Sequence, residues 1–237
     1  VAEGLALDPI ISANLADVRT RLARAASRAG RAVSSIRLVA VSKTHPIDAV
    51  LAALRAGQTM FGENRVQEAL QKIAASSDTP IEWHLIGHLQ SNKARKAAET
   101  FACIHSIDSV DLLRRVDGGA VECGTRPTAF VQVDLAGEPT KHGATLDTLL
   151  PLFDEAARCR AVSVTGLMVL PPFADDPEDA RPYFRRLREL RDELAVRGVP
   201  ASMLRELSMG MSHDFEVAVE EGATLVRVGT SIFGTRG

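Results

Sequence analysis

The sequence predicts an α/β fold, a single (β/α)8 (TIM) barrel with an extra N-terminal helix. Three observations predict it. Eight short apolar runs recur along the 237 residues, helical patterns lie between them, and small or polar residues stand just beyond several of the runs. Alternation of this kind reads as parallel strands with crossover helices, and eight units favour a closed barrel over an open sheet. One large core suffices for such a length, so residues 1–237 are expected to form one domain.

The first helical pattern covers residues 10–29, where Ile10, Ile11, Leu15, Val18, Leu22 and Ala26 recur at steps of three and four between arginines. Gly30 follows as its stop, since glycine accepts the left-handed conformation that closes a helix. The strand runs are 36–42, 59–62, 82–86, 103–107, 129–135, 164–170, 206–209 and 225–228. Helices are expected to begin near Ile47, Val66, Asn92, Val110, Leu146, Pro177 and His213. No helix is expected after the last strand, and the N-terminal helix is expected to cover that gap in the outer ring. Asp117-Gly118-Gly119 and residues 171–177 read as loops.

A formal charge of -2 gives no global field for nucleic acid or an anionic membrane, and no run approaches the roughly 20 apolar residues of a membrane span. Cys103, Cys123 and Cys159 are widely spaced with no Cys-x-x-Cys pair, which indicates neither a disulfide framework nor a zinc site. Glu3 and Asp8 fit a secretory leader poorly. A reducing cytoplasmic setting and a monomer are the expectations.

Lys43 ends the first strand run, where the C-terminal strand ends of a barrel build the site. Such a lysine is commonly solvated or salt-bridged; partly desolvated, it also suits a Schiff base with a carbonyl compound. Ser212 stands ahead of the helix expected near His213 and is either its N-cap or part of an anion cradle. The cradle gains weight from Gly229 and Thr230 after the eighth strand, because phosphate sites in barrels are often built from the last two loops. Together these features suggest a phosphorylated carbonyl compound, with pyridoxal 5'-phosphate leading.

Arg227 lies within the last strand, pointing outward by alternation or inward to meet a ring nitrogen. In the inward case a permanent guanidinium disfavours a protonated pyridine, which favours mild chemistry or carriage. Asn64 reads as a helix cap or as a contact to a ligand. His84 and His88 read as satisfied polar residues, and no metal-ligand constellation stands out. Residues 177–198, with Tyr183, Phe184, Leu187, Leu190 and Leu194 at helical spacing, read as a surface helix with one buried stripe.

Taken jointly, Val41-Ser42-Lys43-Thr44, Phe61-Gly62-Glu63-Asn64, Trp83-His84-Leu85-Ile86-Gly87-His88-Leu89-Gln90-Ser91-Asn92-Lys93, Gly166-Leu167-Met168, Leu207-Ser208-Met209-Gly210-Met211-Ser212 and residues 226–234 closely resemble the pyridoxal 5'-phosphate homeostasis proteins, relatives of the alanine racemase N-terminal barrel. The resemblance spans about residues 36–236. It implies a Schiff base on Lys43, phosphate held by Ser212, Gly229 and Thr230, Arg227 facing the pyridine nitrogen, and Asn64 near the ring. It also implies a carrier or buffer of pyridoxal phosphate serving vitamin B6 and amino- and keto-acid homeostasis; in a carrier an open site mouth would let the cofactor pass to apo-enzymes as recipients. Asp134 and Ala136 depart from the Asn and Ser more usual in that family, which bears on the 134–143 loop.

The alternative is an amino-acid racemase or another weak pyridoxal phosphate enzyme. Racemisation needs a second acid/base opposite the lysine, commonly a tyrosine from another domain, and the one tyrosine here falls in the surface helix. A purely structural barrel would leave the lysine, serine and arginine arrangement without a purpose. The carrier reading is therefore preferred.

Overall fold

The structure is a computed structural model and describes residues 8–137 and 142–234. Glu3, residues 138–141 of the 134–143 loop, and residues 235–237 lie outside the described residues.

Helix α1 (Pro9–Arg28) starts where the Asp8 carboxylate accepts the N–H groups of Ile10 and Ile11, with proline at the first helical position. Its buried stripe is Ile11, Leu15, Val18, Leu22, Ala25 and Ala26. Ile10, expected in that stripe, is 70% exposed, because it sits about 100° round the helix from Ile11, on the solvent side. At the other end Gly30 has φ +65°, and the N–H groups of Gly30 and Arg31 close back on Ser27 and Ala26.

The barrel follows as β1 (Arg37–Val41), α2 (Ile47–Arg55), β2 (Met60–Glu63), α3 (Val66–Ala75), β3 (Glu82–Leu85), α4 (Ala94–Thr100), β4 (Cys103–Ile107) and α5 (Val110–Cys123). The second half is β5 (Thr128–Val133), α6 (Leu146–Ala156), β6 (Ser163–Val169), α7 (Arg181–Val196), β7 (Glu206–Ser208), α8 (Phe215–Glu220) and β8 (Leu225–Val228). All neighbouring strands are parallel, and β8 returns to β1 in the register Arg37↔Leu225 to Ala40↔Val228. Closure leaves no sheet edge, so every strand pairs on both sides.

Further expectations require correction. A one-turn helix, α9 (Thr230–Phe233), follows the last strand, its N–H groups closing on Gly229 and Thr230. Helix α1 packs against α8, α9 and α2 and so completes the outer ring beside it, with Asn14 donating to the Ile232 carbonyl. Asp117-Gly118-Gly119 is not a loop but the middle of α5. A Cβ on Gly119 would lie 2.6 Å from Arg95 Cα, so glycine is what allows α4 and α5 to pack backbone to backbone. Asp117 accepts the N–H groups of Arg160, Ala161 and Val162 and fixes the approach to β6. The fourth helix begins at Ala94, after a 3-10 turn (Ser91–Lys93) near the expected Asn92.

Phe184, Leu187, Leu190 and Leu194 bury one face of α7, while its arginines pair outward with Glu178, Glu220 and Glu221. The main core lies between strands and helices. A smaller cluster of Val39, Cys103, Phe130, Met168 and Leu225, drawn from five strands, fills the barrel interior. Among the described residues no helix is long and apolar enough to cross a membrane.

Candidate functional site

Above that interior cluster a cavity of about 600 Å³ opens at the C-terminal ends of the strands. Lys43, Asn64, Ser212, Arg227, Gly229 and Thr230, all singled out in the sequence, line it together. They reach it from the corners after β1, β2, β7 and β8, and from β8 itself.

Lys43 sits in a tight corner. The Ser42 carbonyl accepts from the His45 N–H, closing a turn whose third residue, Thr44, has φ +67°. Positive φ there is ordinarily supplied by glycine, and a β-branched residue held so is strained by about 1–2 kcal/mol. Behind the turn Lys72 Nζ donates to the Ser42 carbonyl (2.7 Å), to Glu63 Oε1 (2.7 Å) and to Glu68 Oε1 (3.4 Å). Ser42 Oγ donates to Glu63 Oε1, and the Thr44 N–H donates to Glu68. Burial pushes the Glu63 carboxyl up, against the hydrogen bonds from Lys72 and Ser42 that pull it down.

Ser212 is not a helix cap. Helix α8 begins at Phe215, two residues later than expected, because Asp214 occupies the cap position and its carboxylate accepts the Met211 N–H. The Ser212 hydroxyl oxygen instead accepts the N–H groups of Gly229 (3.0 Å) and Ser231 (3.4 Å), joining the loop after β7 to the loop after β8. With both lone pairs engaged, its own proton is left to donate. Asn64 is not a cap either: Arg65 holds that position before α3 without a side-chain bond. A Cβ on Gly87 would lie 2.3 Å from the Asn64 carbonyl oxygen, so glycine lets the corner after β3 press against Asn64.

Arg227 points inward and is 3% exposed. Its guanidinium donates to Ser208 Oγ (2.5 Å) and to the Val169 carbonyl (2.9 Å). Burial lowers it to about 10, against the nearby Asp214 charge, so it remains a cation at neutral pH. From Ser208 the contacts continue down the barrel through His105 Nδ1 (2.9 Å), His84 (2.9 Å from His105) and Glu82 (3.1 Å from His84). Burial holds His105 well below its ordinary range. For His84 burial also opposes the charge, but Cys103 and Glu82 prevail and push it up to about 9.

At the rim, His88 and His142 stack with ring centres 3.5 Å apart and planes 10° from parallel. Asp108 lies 3.8 Å from His88, so three metal-type ligands come together. Parallel rings cannot both place one ion in their planes, so this stack as it stands does not converge on a metal. Asp134, also on the cavity wall, accepts the N–H groups of Ala136 and Gly137 in a turn.

Sequence reasoning missed Glu63, Glu68 and Lys72 behind Lys43, and the partnership of His84 with His105, Ser208 and Glu82. Glu68 and Lys72 carried a faint signal as an i,i+4 pair. Glu82 and His84 lie two apart on one face of β3, while Glu63, His105 and Ser208 meet their partners only across elements distant in sequence.

The family of the alanine racemase, N-terminal domain, matches residues 13–237. A pyridoxal phosphate homeostasis protein of Aquifex aeolicus is 44% identical over 222 residues, covering 94% of this chain and 96% of the relative. A protein of the same name from Pseudomonas aeruginosa is 40% identical, covering 95% and 96%. Among solved structures, PipY of Synechococcus elongatus with PLP bound is 42% identical with a TM-score of 0.84, covering 94% of this chain and all of that one (100%). An alanine racemase of Clostridium difficile shares the barrel alone, at 13% identity and a TM-score of 0.70, over 96% of this chain and 57% of that one.

Proposed function

This chain belongs to the alanine racemase N-terminal domain family and, within it, to the pyridoxal phosphate homeostasis proteins, and on that premise we propose that it binds pyridoxal 5'-phosphate and carries or buffers it. The observation that carries the reading is that Lys43, the Ser212–Gly229–Thr230 corner and the Arg227 guanidinium line one cavity.

The cofactor supplies an aldehyde that condenses reversibly with an amine. Lys43 provides that amine, as a Schiff base. The Ser212 hydroxyl proton, at the corner it shares with Gly229 and Thr230, suits a phosphate, and apolar side chains on the cavity wall such as Val41, Ile86 and Leu170 suit a flat ring. Arg227 faces the pyridine nitrogen and, as a cation, disfavours its protonation, which weakens the electron sink an enzyme of this type needs. Asn64 borders the ring.

Carriage is favoured over racemisation because the one tyrosine, Tyr183, stands on α7 and not on the cavity wall. The expected recipients are apo-enzymes that need the cofactor, reached from a monomer in the cytoplasm, in the service of vitamin B6 and amino- and keto-acid balance.

The test is the visible spectrum of the purified protein with pyridoxal phosphate, before and after borohydride, beside Lys43→Ala. A band that reduction fixes on Lys43, absent from the variant, supports the reading. The same specific adduct in the variant overturns the role of Lys43, and no binding by the wild type overturns the cofactor.

A further inference from the structure

We propose that Lys72, with Glu63 and Glu68, is a positioning residue for Lys43, clamping the peptide units on either side of it so that the strained turn holds its amine at the cavity. The role deepens the function proposed above and rests on Lys43 being the amine that engages the cofactor.

Lys72 is 7% exposed, and its ammonium has three donors. All three are spent behind the turn, on the Ser42 carbonyl, Glu63 and Glu68. The Ser42 carbonyl precedes Lys43 directly. The Thr44 N–H follows it directly and donates to Glu68. Both peptide groups flanking Lys43 are therefore tied to one side-chain cluster carried by β2 and α3, not by β1. The Ser42 hydroxyl adds a further tie to Glu63, which is itself 0% exposed.

Burying a lysine and a glutamate together is expensive, and for stability alone an apolar pair would serve as well. What the apolar pair cannot do is accept the Thr44 N–H and donate to the Ser42 carbonyl. Those bonds hold a threonine at φ +67°, a conformation it leaves readily when nothing over-determines it. Were the turn to relax, Lys43 at its second position would swing with it. Geometry at a reacting atom is worth large rate factors, so the clamp bears on how fast the amine engages an aldehyde.

The experiment times adduct formation. Wild type, Lys72→Met and Glu68→Ala, each with and without Thr44→Gly, receive pyridoxal phosphate; borohydride is added at intervals and the Lys43 peptide is weighed by mass spectrometry. Glu68 is partly exposed, so its variant keeps a folded protein in hand should Lys72→Met not fold. Inorganic phosphate affinity, measured in parallel, reports on the Ser212 corner and is expected to stay constant. Adduct formation is expected to slow about tenfold or more in both single variants. Thr44→Gly is expected to restore much of the rate, since glycine takes positive φ without strain. A wild-type rate in the folded single variants, or slowing that Thr44→Gly leaves untouched, overturns the clamp. Absence of any Lys43 adduct in the wild type fails the cofactor reading itself, an outcome separate from either.

Discussion

His84 Nδ1 and His105 Nε2 meet at 2.9 Å across neighbouring strands β3 and β4, both imidazoles almost wholly buried. One proton is shared in that gap, so the state of one ring dictates the tautomer of the other. His84 also touches Glu82, and His105 touches Ser208, which holds Arg227.

His84 is pushed up to about 9 by Cys103 and Glu82 in spite of its burial. A histidine raised above its unfolded value adds stability that is whole below the ordinary histidine range and is lost as pH rises through the folded value. Chemical denaturation at steps between about pH 6 and pH 10 is expected to show stability declining through that window. Glu82→Gln removes a favourable charge and is expected to move the His84 titration, followed by histidine NMR, to lower pH. An unmoved titration would remove Glu82 as a cause.

Ser208→Ala deletes the oxygen between Arg227 and His105. Each buried group left without a partner costs about 1–3 kcal/mol, so urea denaturation is expected to report a loss of that order or greater. A neutral result would mean that the guanidinium finds another acceptor at once.

Ser212→Ala removes a hydroxyl that ties two corners together and has a proton to donate. Affinity for pyridoxal phosphate and for inorganic phosphate is expected to fall together, about tenfold or more, since one charge-assisted bond is worth about 1.5–3 kcal/mol. Calorimetric titration with both ligands checks it; a loss confined to pyridoxal phosphate would place the phosphate elsewhere.

Leu15→Ala tests the helix that completes the outer ring. Leu15 is fully buried, and such truncations cost about 2–5 kcal/mol. The melting temperature is expected to drop while the spectrum of bound pyridoxal phosphate stays as in the wild type, because α1 lies outside the barrel wall.

Most of the fold was legible because its signals are local. The strand runs and helical spacings between residues 36 and 228 recur as β1 to β8 and the helices between them, with ends displaced by at most two residues except at α7, which begins at Arg181, four residues past the expected Pro177, after a 3-10 turn (Pro177–Ala180). The Asp117 to Gly119 segment misled because glycine ordinarily breaks a helix, whereas here it serves contact with Arg95, distant in sequence. For Ser212 the sequence left a cap beside an anion cradle, and what decides between them, its contacts with Gly229 and Ser231, lies on another loop.

By itself the sequence determined the order of the eight strands and of the helices between them, though not α9, and that Lys43, Asn64, Ser212, Arg227, Gly229 and Thr230 stand at or near strand ends. Periodicity and punctuation are properties of a few consecutive residues, and they survive in one dimension. Only the tertiary structure decided that Arg227 faces inward, that Lys72 reaches the peptide before Lys43, and that His84 meets His105. Those facts depend on strand register and on which face of a closed barrel each side chain takes, and closure is settled by the whole chain at once.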